Sequence, residues 1–189
     1  MKKLAGILIM EMVIVLATTS AFAVTNLTQS ASVTIASVLS IEFATTTDST
    51  FGSGTIPWTS ITPDSTVVTP TGHVTSKPDI GLICKYNGAG NWYAKVNLAT
   101  TTLTGKLSRY ISQPTNRNTS TATNGTVTGL DAWTVIPALA TTVYASGTND
   151  SLNTPLGTFI GVNFALDPTG LATGSTYTGT ITYTITTTP

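Results

Sequence analysis

Residues 177–186 alternate apolar residues and threonine with a period of two. Tyr177, Ile181, Tyr183 and Ile185 share one set of positions, and threonine fills the other set. Successive side chains of a β-strand point to opposite faces, so this period predicts a strand with one apolar face and one hydroxyl face. Such a strand suits an antiparallel sheet and cannot lie in the middle of a parallel one.

The same period recurs along the chain, between clusters of glycine, proline, asparagine and aspartate. Threonine is the most frequent residue and only 8% of the chain is charged, and β-branched residues favour strands. A first strand is predicted from Val33, Ile35, Leu39, Ile41 and Phe43, and others from residues 103–111, 127–136, 141–145 and 158–166. The sequence therefore predicts an all-β fold, an antiparallel β-sandwich that forms one domain over residues 24–189.

A central hairpin is also predicted. Two apolar runs, Ile80–Tyr86 and residues 92–98, flank an Asn-Gly turn element at Asn87 and Gly88. Residues 92, 94, 96 and 98 are expected to face the core. Residues 113–125, which are rich in asparagine, serine and threonine, are expected to form an exposed, mobile loop.

Residues 1–23 have the pattern of a secretory signal peptide. Lys2 and Lys3 precede an apolar stretch over residues 4–17, and Ala21 and Ala23 form an A-x-A cleavage pattern. No later segment reaches the length of about 18 apolar residues that a membrane helix needs. We therefore expect a secreted protein, extracellular or on the cell surface, with no membrane span in the mature chain.

One charge inside the leader supports a second interpretation. Glu11 lies within the apolar stretch, where an ionised carboxylate is costly to place in lipid. Gly6 and Glu11 have the spacing of a type IV prepilin leader, which this segment resembles. That resemblance implies a leader over residues 1–6, cleavage after Gly6 and an N-terminal helix. The two routes differ in the mature N-terminus, which is Val24 or Ile7.

A second resemblance covers most of the chain. A strand over residues 33–43 is followed by Phe51 and Gly52, by the runs over residues 80–98, and by a terminal segment over residues 174–181. Together with the signal peptide, these features resemble the secreted pilin-like proteins grouped with spore coat protein U. The resemblance implies an immunoglobulin-like antiparallel β-sandwich, assembled at the cell surface by a chaperone and usher pathway.

Members of that family usually carry paired cysteines, whereas this chain has only Cys84. No intrachain disulfide can form. Alternation places Cys84 on the face of Ile80 and Leu82, which predicts a buried, inert thiol; an intermolecular disulfide or a reactive thiol is the alternative.

The chemistry-bearing residues do not suggest a reaction. His73 is the only histidine, no Gly-x-Ser-x-Gly motif occurs, and the carboxylates are widely separated in sequence. We therefore expect a non-enzymatic protein with no catalytic residue, no cofactor and no metal site, and interpret His73 as a surface or turn residue. The formal net charge is zero, which argues against nucleic acid as a partner.

The leading hypothesis is a structural or adhesive surface subunit of the pilin-like or coat type. It would self-associate or bind other surface subunits through its terminal strands, and an export chaperone and glycans are further candidate partners. One alternative is a type IV pilin. Another is a secreted carbohydrate-binding module in which Trp58, beside Pro57, is the candidate sugar contact.

Overall fold

Alternating apolar and polar side chains produce two antiparallel β-sheets in the computed structural model, which describes residues 38–58, 61, 67–99, 102–150, 153–172 and 174–189. These residues belong to one compact unit, Ser37–Pro189. They contain strands and turns but no helix, so this part of the chain also lacks a helix that could cross a membrane. The predicted all-β fold is confirmed.

The described strands fall into sheets A and B. In chain order they are β1 (Leu39–Phe43), β2 (Ile80–Tyr86), β3 (Tyr93–Leu98), β4 (Leu107–Ile111), β5 (Thr115–Asn116), β6 (Thr121–Ala122), β7 (Thr126–Val127), β8 (Thr134–Val135), β9 (Thr141–Ala145), β10 (Thr158–Leu166) and β11 (Ile181–Thr186). Sheet A has the order β1-β2-β10-β4-β8, with β5 paired to β10 and β6 paired to β5. Sheet B has the order β11-β3-β9-β7. Neighbouring strands in both sheets are antiparallel.

Alternate residues of the longer strands from both sheets share one core, as in a β-sandwich. The core residues at 2% exposure or less include Ile80, Leu82 and Cys84 of β2, Ala94, Val96 and Leu98 of β3, and Ile160, Val162 and Phe164 of β10. Trp92 is also fully buried, as predicted, and its ring lies 5.2 Å from that of Tyr144 in β9. Burial of each large apolar side chain contributes about 1.5–3 kcal/mol, so this core is the main stabilising element.

The predicted hairpin between β2 and β3 is wrong. Both strands exist, but they lie in different sheets. The backbone N–H of Tyr86 donates to Oδ1 of Asn153 at 2.6 Å, and that of Trp92 donates to Oγ of Ser146 at 2.9 Å. These polar side chains bind the strand ends that a hairpin would have paired. Two strands that each have one apolar face can bury it either as neighbours in one sheet or as members of two sheets that face each other. The alternating pattern and the Asn-Gly turn signal fit both arrangements, so the sequence could not distinguish them.

Other boundaries differ in how closely they follow the sequence pattern. β9 and β10 match their predicted ranges, whereas β4 begins only at Leu107 and the predicted strand over 127–136 becomes β7 and β8 in different sheets. Leu39, Ile41 and Phe43 form β1, while Val33 and Ile35 lie outside the described residues. The predicted loop over 113–125 contains the paired strands β5 and β6.

Asn116 shows why that loop is structured. Its side chain is buried, and Nδ2 donates to the carbonyl oxygen of Asn149 at 2.6 Å. A buried amide needs hydrogen-bond partners, so this contact ties the loop to a distant turn. Residues 118–122 are exposed as expected, but the burial of Asn116 was not predicted, because composition carries no information about such long-range partners.

Candidate functional site

The edge strands β1 of sheet A and β11 of sheet B lie against each other and define what we call the open side. The rings of Phe43 in β1 and Tyr183 in β11 meet edge to face, with 6.4 Å between centroids. Within the described residues, β1 is hydrogen-bonded only to β2, and β11 only to β3. Two of the predicted assembly strands are therefore neighbours at one margin of the molecule.

The apolar face of β11 is incompletely covered at the open side. Ile181, Tyr183 and Ile185 point inward but are only half-buried, and the threonines between them are more exposed, which matches the predicted alternation. In β1, Leu39 and Phe43 are 41% and 45% exposed. An apolar stripe along a sheet margin is the surface that an added strand would bury.

Tyr183 also presents a buried hydroxyl at this side. Its Oη has no hydrogen-bond partner among the described residues, and burial raises the pKa of Tyr183 while the charge of Arg109 acts in the opposite direction. Tyr177 lies before β11 rather than in it, and its hydroxyl oxygen accepts a hydrogen bond from the backbone N–H of Ala172 at 2.7 Å.

The free backbone groups of β11 can be assigned from its register with β3. The N–H of Ala99 donates to the carbonyl of Thr180 at 3.0 Å, and the pairing continues without interruption from Ile181↔Leu98 onward. Because hydrogen-bonded pairs alternate along an antiparallel ladder, the N–H and C=O groups of Ile181, Tyr183 and Ile185 point away from β3. These three residues thus line the outer edge of sheet B.

The sheet margins differ in how they discourage pairing with another chain. Edge strands are usually kept from pairing by short length or by charged side chains. β6, β7 and β8 have two residues each, and in β1 the carboxylate of Glu42 binds Nζ of Lys85 at 2.6 Å. β11 has six residues and no charge. Among the described edges, β11 is therefore the one with neither feature.

No protein-family model, curated protein or solved structure matches the chain. The open side must therefore be interpreted from its own geometry and chemistry. The predicted processing residues Ala21 and Ala23, and the alternative pair Gly6 and Glu11, lie outside the described residues.

The predicted sugar contact Trp58 lines a pocket of about 420 Å³ at one end of the core. Its indole Nε1 donates to the carbonyl oxygen of Val68 at 3.4 Å, and the side chain packs against buried core residues. Its polar group is thus used within the chain. Trp133 was not chosen over Trp58 as the sugar contact, yet it is 51% exposed. Its neighbours Ala132 and Thr134 gave no local signal of that exposure.

His73 forms a hydrogen bond that its sequence position did not predict. Its Nδ1 lies 2.7 Å from Oδ1 of Asp79, whose carboxylate is fully buried and also accepts the backbone N–H of Phe164 at 2.8 Å. The sequence analysis interpreted His73 as a surface or turn residue. Its N–H donates to the carbonyl of Pro70 at 3.0 Å, as in a turn, but its contact with a buried carboxylate was not predicted. The carboxylate of Asp79 thus connects the residue before β2 with β10 and with the turn that contains His73.

The remaining buried polar cluster surrounds Asp150. The hydroxyl of Tyr144 donates to Oδ2 of Asp150, and the N–H of Gly147 donates to Oδ1 at 2.7 Å. Burial raises the pKa of Asp150, and these hydrogen bonds act in the opposite direction. Cys84 is fully buried, and burial together with the nearby Asp150 raises the pKa of its thiol. In the described ranges, no group of three His, Cys, Asp or Glu residues could hold a metal ion.

Proposed function

We propose that this protein is an extracellular structural or adhesive subunit, pilin-like or coat-forming, that assembles when a strand from a neighbouring copy adds to the free edge of β11. The supporting observation is the open side, where a six-residue, uncharged edge strand lies above an incompletely covered apolar stripe. A protein of this kind needs no catalytic group.

The strand order suggests which position of the sandwich has no strand among the described residues. In an immunoglobulin-like sandwich, strands A, B, E and D form one sheet, and C, F and G form the other. β1, β2, β10 and β4 correspond to the first sheet, and β3 and β11 to strands C and F. The place of G, beyond β11, has no described strand. This comparison supports an immunoglobulin-like topology of the type that the spore coat protein U resemblance implies.

The occupant that we propose is the segment before β1 in another copy. Residues 24–38 contain no charged residue, and Val33 and Ile35 continue the odd-numbered apolar positions of Leu39 and Ile41. A strand with this period can place one apolar face over the half-buried stripe while its backbone satisfies the free groups of β11. Secretion with cleavage after Ala23 would leave the segment at the mature N-terminus.

Paired aspartate variants of the secreted, full-length mature protein test this assembly. Ile185→Asp places a carboxylate on the face that the incoming strand would cover, so we expect oligomers to be lost while the monomer stays folded. Thr184→Asp introduces the same charge on the opposite, exposed face of the same strand and should leave assembly unchanged. Light scattering after size exclusion measures the mass, and circular dichroism checks the fold.

Hydrogen exchange adds a residue-level readout. The amides of Ile181, Tyr183 and Ile185 should become protected on assembly, whereas those of Thr182 and Thr184, already bonded to β3, should change little. Assembly that survives Ile185→Asp, or a wild-type chain that is monomeric at all concentrations, would contradict the proposal.

A further inference from the structure

The outer face of sheet A carries an exposed aromatic pair at its β8 margin. β4 and β8 pair as Ser108↔Val135 and Arg109↔Thr134, so Tyr110 and Trp133 are the next residues opposite each other. Their ring centroids are 5.5 Å apart at an interplanar angle of 51°. Trp133 is half-exposed, so one face of this cross-strand pair is available to a ligand.

The turn that precedes Trp133 is held in place by three hydrogen bonds. The N–H of Asp131 donates to the carbonyl of Ile111 at 3.0 Å, and that of Ala132 donates to Gly129 at 3.2 Å. The Tyr110 hydroxyl donates to Oδ1 of Asp131 at 3.1 Å. Asp131 has a φ of 51°, a left-handed conformation that aspartate tolerates in turns. The aromatic pair is therefore preorganised.

A polar cleft of about 270 Å³ lies beside this pair on the same face. It is lined by residues that include Ser112, Gln113, Thr115, Asn163 and the ring of Phe159. Asn163 pairs with Tyr110 in the register of β10 and β4, so the cleft begins one strand away from the aromatic pair. Gly161 lets Pro78 pack closely against the sheet beside the cleft, since a Cβ there would lie 3.0 Å from Cγ of Pro78.

We propose that this outer face binds neutral oligosaccharides, with one pyranose ring stacked on Trp133 and an adjoining ring in the cleft. A pyranose has an apolar C–H face and a rim of hydroxyls, which matches an aromatic surface beside hydroxyl and amide groups. Oδ1 of Asn163 already accepts a hydrogen bond from the N–H of Asp79, and Nε2 of Gln113 already donates to Thr123. The candidate contacts for a sugar are therefore the hydroxyls of Ser112 and Thr115 and the other polar atoms of these two amides, which a wholly apolar ligand would desolvate.

The charges near the site favour a neutral ligand. The exposed carboxylate of Asp131 beside Tyr110 would repel an anion. Lys77, the cation that lines the cleft, donates its Nζ to the carbonyl of Thr46 at 2.7 Å. This inference assigns a recognition site beyond the proposed assembly, and it rests on a different face of the molecule.

Titration of the mature protein with neutral probes tests the site. We would use oligosaccharides of β-1,4-linked glucose, β-1,4-linked N-acetylglucosamine and β-linked galactose, followed by tryptophan fluorescence and saturation-transfer NMR. Trp133→Ala should weaken binding about tenfold, and Trp133→Phe should weaken it less because a smaller ring remains. Leu139→Ala, which removes another exposed apolar side chain, is the matched control and should bind as the wild type does.

The outcomes are separable from those of the assembly experiment. Saturable binding that is lost in Trp133→Ala, retained in Leu139→Ala and retained in Ile185→Asp supports the site whether or not the chain assembles. Absence of binding up to about 10 mM for every probe, unchanged affinity in Trp133→Ala, or loss in Trp58→Ala instead would overturn it.

Discussion

Removal of the Tyr144 hydroxyl should destabilise the fold in a pH-dependent way. In Tyr144→Phe the ring and its 5.2 Å contact with Trp92 are retained, so the variant removes only the hydroxyl, with its hydrogen bond to Asp150 and its contact with Thr123. The carboxylate would keep donors from Gly147 at 2.7 Å and Thr158 at 3.4 Å. Loss of a buried hydrogen bond to a charged group costs about 1.5–3 kcal/mol. We expect the free energy of unfolding to fall by that amount at pH 7.

The pH dependence follows from the direction of the Asp150 pKa. Burial raises the pKa of Asp150 in the folded state above its unfolded value of about 4. The stability that Asp150 contributes is therefore fully present below that unfolded pKa. It is lost as the pH rises through the folded pKa. The Tyr144 bond lowers the folded pKa, and its removal raises that pKa further. The penalty of the variant should therefore shrink to about 1 kcal/mol near pH 3, where the bond joins two neutral groups.

Urea unfolding at both pH values, followed by circular dichroism on monomeric protein, measures this difference. Tyr183→Phe is the matched control. Its hydroxyl is buried and has no partner among the described residues, so its removal should raise the stability by about 1 kcal/mol or leave it unchanged. The reasoning is refuted if Tyr144→Phe costs less than about 0.5 kcal/mol at pH 7, or costs more at pH 3 than at pH 7.

Two further predictions concern the packing of β2. Gly81→Ala should lower the free energy of unfolding by about 1–3 kcal/mol, because the added Cβ would lie 2.8 Å from Cβ of Ala44 and against the ring of Phe159. Phe159→Leu should recover part of that loss, which a double-mutant cycle of urea unfolding measures. Cys84 should resist thiol reagents in the folded protein and react fully in denaturant, which a colorimetric thiol assay measures, and rapid labelling of the native chain would contradict its burial.

The sequence predicted strand positions better than strand partners. β10 was predicted within its observed bounds because Ile160, Val162 and Phe164 alternate along its buried face, a signal that needs no knowledge of the rest of the chain. The bounds of β9 were also predicted correctly, although Val143 and Tyr144 are adjacent and both buried. The β2–β3 connection was predicted wrongly, because the hydrogen bonds to Asn153 and Ser146 that separate these strands join residues far apart in sequence.

The polar interior was the least predictable part of the molecule. Asp79 and Asp150 lie in sequence contexts typical of turns, yet both are fully buried. Their partners His73 and Tyr144 lie only six residues away in sequence. The fold brings the N–H of Phe164 to Asp79 and the hydroxyl of Thr158 to Asp150, and these hydrogen bonds offset the desolvation of the buried carboxylates. In a chain rich in threonine and asparagine, no local pattern distinguishes a buried polar residue from a solvated one.

The two proposed surfaces lie at different margins of the fold, and this separation bears on how they would work together. Strand addition concerns β11, which lies against β1 at one end of the sheet A order, whereas Trp133 adjoins β8 at the other end. An incoming strand that pairs with β11 extends sheet B, so it need not cover the outer face of sheet A. Copies joined in this way would therefore present Trp133 repeatedly, and weak binding of single sugars would be strengthened by multivalency. Assembled protein should then bind a glycan-coated surface far more tightly than Ile185→Asp monomers do, although both share the same affinity for a free oligosaccharide.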